Sequence, residues 1–183
     1  MPQSIRPGDV LAGRYRLVDL LVESRGGRFY RAHDRVLERQ VAVHVLAADD
    51  DRATALVEAA RRSATVPDRR LLRVLDADRA DGICFVVNEW GSGTSLDRWL
   101  AADGPLAPRE AAWLVAEVAD TIATAHLRHV AHGRLAPENV LIDRNGGVRI
   151  IGFCVEAALH GLHDDHATVV ETDVVDLAGL LYA

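Results

Sequence analysis

The sequence predicts an α+β fold in two lobes: a five-stranded lobe with one helix, and a mostly helical lobe that stops short. Three observations carry this. Residues 8–90 contain short runs rich in β-branched side chains, separated by turns of Gly, Asp and Ser. Residues 91–183 contain longer runs with apolar side chains at helical spacing. Between them, Gly91-Ser92-Gly93 forms a flexible joint and the boundary between the two lobes.

The elements follow in order. Tyr15 to Val22 partly alternates and is bounded by Gly13 and the turn from Ser24 to Gly27. Arg28 to Ala32 follows that turn, so the pair reads as a hairpin. Gln40 to Leu46 alternates with β-branched residues and reads as a strand. Asp49 to Arg62 reads as a helix, with acidic residues at its start and arginines at its end, as the helix dipole prefers. Arg73 to Ala77 and Ile83 to Asn88 make a second strand pair around Asp81-Gly82. In the second half, Ser95 caps a short helix from Leu96 to Ala102. Pro108 suits the first turn of a long helix running to about His129, with Ala112, Val115, Val118, Ala119 and Ile122 facing a core. Asn139 to Asp143 and Val148 to Ile151 flank Arg144-Asn145-Gly146-Gly147 as a last hairpin.

Composition narrows the function. The 183 residues are 49% apolar, which suffices for a core and argues against disorder. A net charge of −6 disfavours nucleic acid or an anionic membrane as partner. Cys84 and Cys154 lie in apolar runs and read as small buried hydrophobes. Met1 to Val10 has no apolar segment of a secretory signal, and no run approaches the ~20 apolar residues of a membrane span. All 21 basic residues are arginine. A GC-rich coding sequence would favour Arg over Lys, yet such bias alone would spare a working catalytic lysine.

The stretch from His132 to Asn139 reads His-Gly-Arg-Leu-Ala-Pro-Glu-Asn. It resembles the catalytic loop of protein kinases, H-R-D-L-K-P-x-N. Arg134 stands where that family has its catalytic Asp, and Ala136 where it has Lys. The Asp accepts the substrate hydroxyl's proton, which a permanently protonated guanidinium cannot do. The order of elements resembles the same family over nearly the whole chain, from about Gly8 to Tyr182, and most closely the bacterial transmembrane Ser/Thr kinases. Gly13-Arg14-Tyr15-Arg16-Leu17, Tyr30-Arg31-Ala32-His33-Asp34 and Gln40-Val41-Ala42-Val43 carry that likeness.

The resemblance implies further sites, and the chain departs at each. The phosphate loop G-x-G-x-x-G reads Val22-Glu23-Ser24-Arg25-Gly26-Gly27, in which only Gly27 keeps its glycine and a plain hairpin turn is the simpler reading. The phosphate-pairing lysine of V-A-I-K is His44. Glu58 resembles the lysine's partner, and two readings stand: a His44–Glu58 contact, or both residues near solvent. D-F-G is Gly152-Phe153-Cys154, without the carboxylate that holds magnesium. Asn139 remains, and a neutral amide alone is a poor magnesium site, so its expected role is to hydrogen-bond its own loop. Glu156 to Glu171 is short for an activation segment and contains no A-P-E. Thr172 to Tyr182 resembles the start of the helix that anchors the large lobe, which suggests a longer lobe. His160, His163, Asp164, Asp165 and His166 have metal-like side chains, but their spacing fits a solvated loop better. His126, His129 and His132 read as structural.

With these departures the chain resembles the cytoplasmic pseudokinase region of the actinobacterial MviN proteins, of the lipid-linked peptidoglycan precursor flippase family. That resemblance implies a docking scaffold, not an enzyme, with no cofactor and no metal, in the cytoplasm and tethered to a membrane protein. Its implied partners are an upstream bacterial Ser/Thr kinase and a forkhead-associated domain that reads phosphothreonine, in regulation of cell-wall synthesis. Thr168 and Thr172 are the visible candidate phosphosites, placed in a loop; unmodified polar residues are the plainer reading. An atypical kinase with rearranged residues, using Glu138 or Asp143, and a nucleotide-sensing switch are the alternatives.

Overall fold

The computed structural model describes residues 5–162 and 166–182, except the side chains of His166 and Ala167. It divides into two compact units: Met1–Ala64 with Arg73–Trp90, and Thr65–Leu72 with Gly91–Ala183.

The first unit is an antiparallel sheet with one helix. Its elements are β1 (Val10–Leu11), β2 (Tyr15–Ser24), β3 (Gly27–Asp34), β4 (Arg39–Ala47), α1 (Ala53–Ser63), β5 (Val74–Ala80) and β6 (Ile83–Glu89). The strand order is β1-β2-β3-β4-β6-β5, so the sheet has six strands and not the five expected. The addition is β1, two residues that pair with Tyr15 and Arg16, too short to leave a periodic signal. Alternation puts Tyr15, Leu17, Tyr30, Val43, Phe85 and Val87 on one face, where they form the core. On the other, Cys84 Sγ donates to the Ala53 carbonyl of α1 at 3.4 Å. The helix starts four residues later than Asp49, because Asp50 makes a turn of its own. Its carboxylate accepts from the Arg52 backbone N–H (2.9 Å) and guanidinium (2.8 and 2.6 Å). Asp34, fully buried, accepts two bonds from Arg14 (2.8 and 2.7 Å) and the backbone N–H groups of Val36 and Leu37, which fixes the β3–β4 turn. The Arg14 guanidinium holds that carboxyl well below the usual range.

The second unit contains β7 (Thr94–Ser95), α2 (Leu96–Asp103), α3 (Pro108–His126), a 3-10 turn (Pro137–Asn139), β8 (Val140–Ile142), β9 (Val148–Ile150), α4 (Val155–Leu159) and α5 (His166–Leu180). β7, β8 and β9 form a small antiparallel sheet. Residues 65–72 belong here because Ile150 N–H donates to Arg70 O (2.8 Å) and Leu72 N–H to Ile150 O (2.9 Å). α3 ends at His126, three residues short of the expected end. His129 takes a left-handed φ of 56°, and Val130 N–H turns back to Ala125 O. Its buried stripe is Leu114, Val118, Thr121, Ile122 and Ala125, whereas Ala112 is exposed. Among the described residues, no helix is long and apolar enough to cross a membrane.

Candidate functional site

The loop from His132 to Asn139 lies in the second unit and is held by two carboxylates on α5, the buried Asp173 and the half-buried Asp176. Asp173, with no exposed surface, takes three bonds. His132 N–H donates to its Oδ2 and Gly133 N–H to its Oδ1, at 2.8 and 2.7 Å, and His126 Nε2 donates to Oδ2 at 2.8 Å. One turn on, Asp176 accepts from Leu135 N–H at 2.9 Å, and burial raises its carboxyl above the usual value. Asn139 Oδ1 accepts from Ala136 N–H at 2.9 Å, where Pro137 opens the 3-10 turn. The His132 ring donates through Nε2 to Ile151 O (2.9 Å), and its Nδ1 faces Arg134 N–H (3.4 Å). These partners select the neutral Nε2–H tautomer, and burial holds the imidazole below its ordinary pKa.

Gly152-Phe153-Cys154 follows the same logic of local support. The Phe153 ring meets His132 edge-on at 4.9 Å between centroids. Cys154 is buried with a left-handed φ of 58°, a strained value for a side-chain-bearing residue, and its Sγ donates to Ala131 O. Gly152 has a φ of 88°, and a Cβ on it would overlap the Cγ of Glu156. Glu156 was not singled out by sequence. Its carboxylate is mostly buried, 3.9 Å from Arg134 Nη1 and 3.8 Å from His160 Nδ1. Burial raises its pKa, and His160 and Arg134 offset this only in part. Arg134 Nη1 also lies 3.4 Å from Glu138 Oε1. Gly133, which occupies the family's Arg position, was missed too: a Cβ there would lie 2.9 Å from Ala157 Cβ and 3.0 Å from Val169 Cγ1. The signal for Gly133 was in the sequence, a glycine in place of the motif's charged residue; Glu156 left none, because it acts through a helix of only five residues.

The first unit holds the expected phosphate-loop, His44 and Glu58 positions. Val22, Glu23 and Ser24 are strand residues, with Val22 exposed and Glu23 paired with Arg28. The turn itself is only Arg25-Gly26, both with positive φ (49° and 77°), and Gly27 begins β3. Arg52 Nη2 donates to Arg25 O at 2.6 Å and ties down the tip. The His44 ring stacks on Phe29, 4.4 Å between centroids, and burial pushes its pKa down to about 4. Glu58 is exposed on α1, and among the described residues no hydrogen bond or ion pair joins it to His44. Thr168 and Thr172 lie within α5 and not in a loop. Thr168 is exposed in its first turn, and Thr172 Oγ1 donates to Thr168 O. Of the His160–His166 group, residues 163–165 and the His166 side chain lie outside the described residues.

A magnesium ion, which the resemblance implies for phosphoryl transfer, does not fit these residues. Gly152 offers no oxygen from a side chain, Glu156 faces a guanidinium, and Asn139 spends its oxygen on Ala136. Among the described residues, no group of three or more His, Cys, Asp or Glu is placed to hold a metal.

Comparison with known proteins adds the family. The family described as "Protein kinase domain" matches residues 15–174. The serine/threonine-protein kinase PrkC of Bacillus subtilis is 28% identical over 167 residues, covering 89% of this chain and 26% of that protein. A probable serine/threonine-protein kinase, pknA2, of Bifidobacterium longum is 33% identical over 154 residues, 80% of this chain and 20% of that protein. The serine/threonine-protein kinase PknH of Mycobacterium tuberculosis is 29% identical over 160 residues, 85% of this chain and 25% of that protein. The chain thus spans a fifth to about a quarter of the length of these relatives. These matches overturn the expectation that the chain is no enzyme: the matching family is the protein kinase domain, and the relatives are Ser/Thr protein kinases by name.

Proposed function

This chain belongs to the protein kinase domain family, and on that premise we propose that it acts in bacterial Ser/Thr phosphorylation signalling as a phosphorylation-dependent docking scaffold. One observation carries the proposal. The loop from His132 to Asn139 keeps a fully supported shape, through Asp173, Asp176 and Asn139, although Arg134 and Ala136 replace its chemical residues. Asp173 is a buried carboxylate whose bonds from His132 and Gly133 serve that loop geometry, and a buried charge is tolerated only where such partners are kept. Likeness to the pseudokinase region of the MviN proteins supports an upstream Ser/Thr kinase, a forkhead-associated reader, a membrane-tethered cytoplasmic setting and a role in cell-wall synthesis. Thr168 is the better phosphosite of the two, because it is exposed at the start of α5, where the helix dipole favours added negative charge.

The test is retention of a forkhead-associated domain by the chain before and after treatment with a bacterial Ser/Thr kinase. Retention should rise with phosphorylation and fall with Thr168→Ala; equal retention in both states counts against the scaffold. A second reading, an atypical kinase with rearranged residues, is favoured by Glu156, a carboxylate beside the Gly152 position. Transfer of labelled phosphate from ATP to a Ser/Thr peptide, lost in Glu156→Gln, would establish it.

A further inference from the structure

The packing around Gly152 and Gly133 concerns one element. Two residues of the loop motifs lack side chains, and in both places the space is filled from the segment that follows. Beside Gly152 stand the Cγ, Cβ and Cδ of Glu156, the last two at 3.3 and 3.4 Å from an added Cβ. Beside Gly133 stand Ala157 of α4 and Val169 of α5. So α4 is seated directly on the loop, and the two glycines are what admit it. The seating carries the Glu156 carboxylate, 16% exposed, to the place that a side chain on residue 152 would take. There it meets Arg134, whose Nη1 lies 3.9 Å from Glu156 and 3.4 Å from Glu138.

We propose that Arg134 is the resident cation of this domain and Glu156 its carboxylate, an internal ion pair standing in place of a carboxylate-bound divalent metal. The chemistry is consistent on both sides. A guanidinium stays charged at any working pH, so the positive charge is permanent and not drawn from solution. Two carboxylates converge on it, and His160 is the other titratable group against Glu156, its Nδ1–H donating to the Glu156 carbonyl at 2.9 Å. A divalent ion entering here would meet a fixed positive charge and a carboxylate already engaged. Such a pair is partly exposed and adds little stability, so what it changes is occupancy.

Titration of the full chain with Mn²⁺ alone, read by thermal shift and by electron paramagnetic resonance of free Mn²⁺, tests this. The native chain should show no saturable binding. Arg134→Gln leaves Glu138 and Glu156 facing one another, so it should gain saturable Mn²⁺ binding and a rise in melting temperature of about 3 °C. Adding Glu156→Gln should remove that gain. Saturable binding by the native chain that Glu156→Gln abolishes would overturn the assignment and make Glu156 a metal ligand. A failure of Arg134→Gln to gain binding would overturn it as well. A second measurement is independent of metal: Gly152→Ala should lower the melting temperature much less in a Glu156→Ala background than in the native chain, and equal losses would refute the packing on which the pair rests. Failure here leaves the docking role untouched, since that assay reads partner retention before and after phosphorylation and not metal occupancy at Arg134.

Discussion

His44 shows what a single residue does to the behaviour of the whole chain. Its ring stacks on Phe29, and burial pushes its pKa to about 4. In the unfolded chain a histidine titrates near 6.5. Between those values the unfolded state holds a proton that the folded state refuses, so its contribution is present above about pH 6.5 and is lost as pH falls toward 4. Melting temperature measured from pH 7.5 to 4.5 should therefore decline, and His44→Phe, which keeps an aromatic ring on Phe29 without a titrating group, should flatten the decline. Parallel curves would rule His44 out as a source. Glu156 has the opposite sign. Burial raises its pKa, so acid relieves a cost instead of adding one, and Glu156→Gln should steepen the decline. That His44 replaces a lysine was legible in Val41-Ala42-Val43-His44. Its neutrality followed from residue type, but the stack did not, because it depends on the β3–β4 register that sets Phe29 opposite His44. Glu156 was illegible for a like reason. It acts through a helix of five residues, too short for periodicity to reveal.

The β2–β3 hairpin carries its signal in two adjacent glycines with separate duties. Gly26 takes the left-handed position of a two-residue turn, while Gly27 is a strand residue whose added Cβ would lie 3.2 Å from Leu46 Cδ2. The turn was readable from Gly26-Gly27; the division between them was not, since it follows from tertiary packing. Nor was the brace readable. Arg52 lies 27 positions from Arg25, chelated by Asp50, and donates to the carbonyl at the tip. A loop that resembles a phosphate cradle is thus a pinned hairpin. Arg52→Ala should speed amide hydrogen exchange over residues 24–27 by roughly tenfold, the factor that about 1.4 kcal/mol of lost local stability gives, with exchange in β4 unchanged. Unchanged exchange at the tip would mean that the turn alone holds it.

Across the molecule, the two halves were separable because strand and helix patterns differ in period, and the joint at Gly91 to Gly93 marks where one gives way to the other. The assignment of residues 65–72 to the second unit was hidden, since it rests on hydrogen bonds between Arg70, Leu72 and Ile150 that no local pattern encodes. The same holds for the anchor of the loop. Asp173 falls in the stretch Thr172 to Tyr182, which shows a helix and nothing of its partners, yet it collects bonds from positions 47, 41 and 40 residues away, His126, His132 and Gly133. One side chain therefore joins α3, the loop and α5, and its loss should act on the second unit as a whole. Asp173→Ala would leave two buried backbone N–H groups and a histidine without an acceptor, at about 1–3 kcal/mol each, or ~3–5 kcal/mol after relaxation. Asp173→Asn keeps one oxygen for one N–H and should cost roughly half as much. Urea unfolding followed by circular dichroism separates the cases. The midpoint should fall in the order native, Asn, Ala, and an Ala variant within about 1 kcal/mol of native would show that α5 and the loop are held by apolar packing instead.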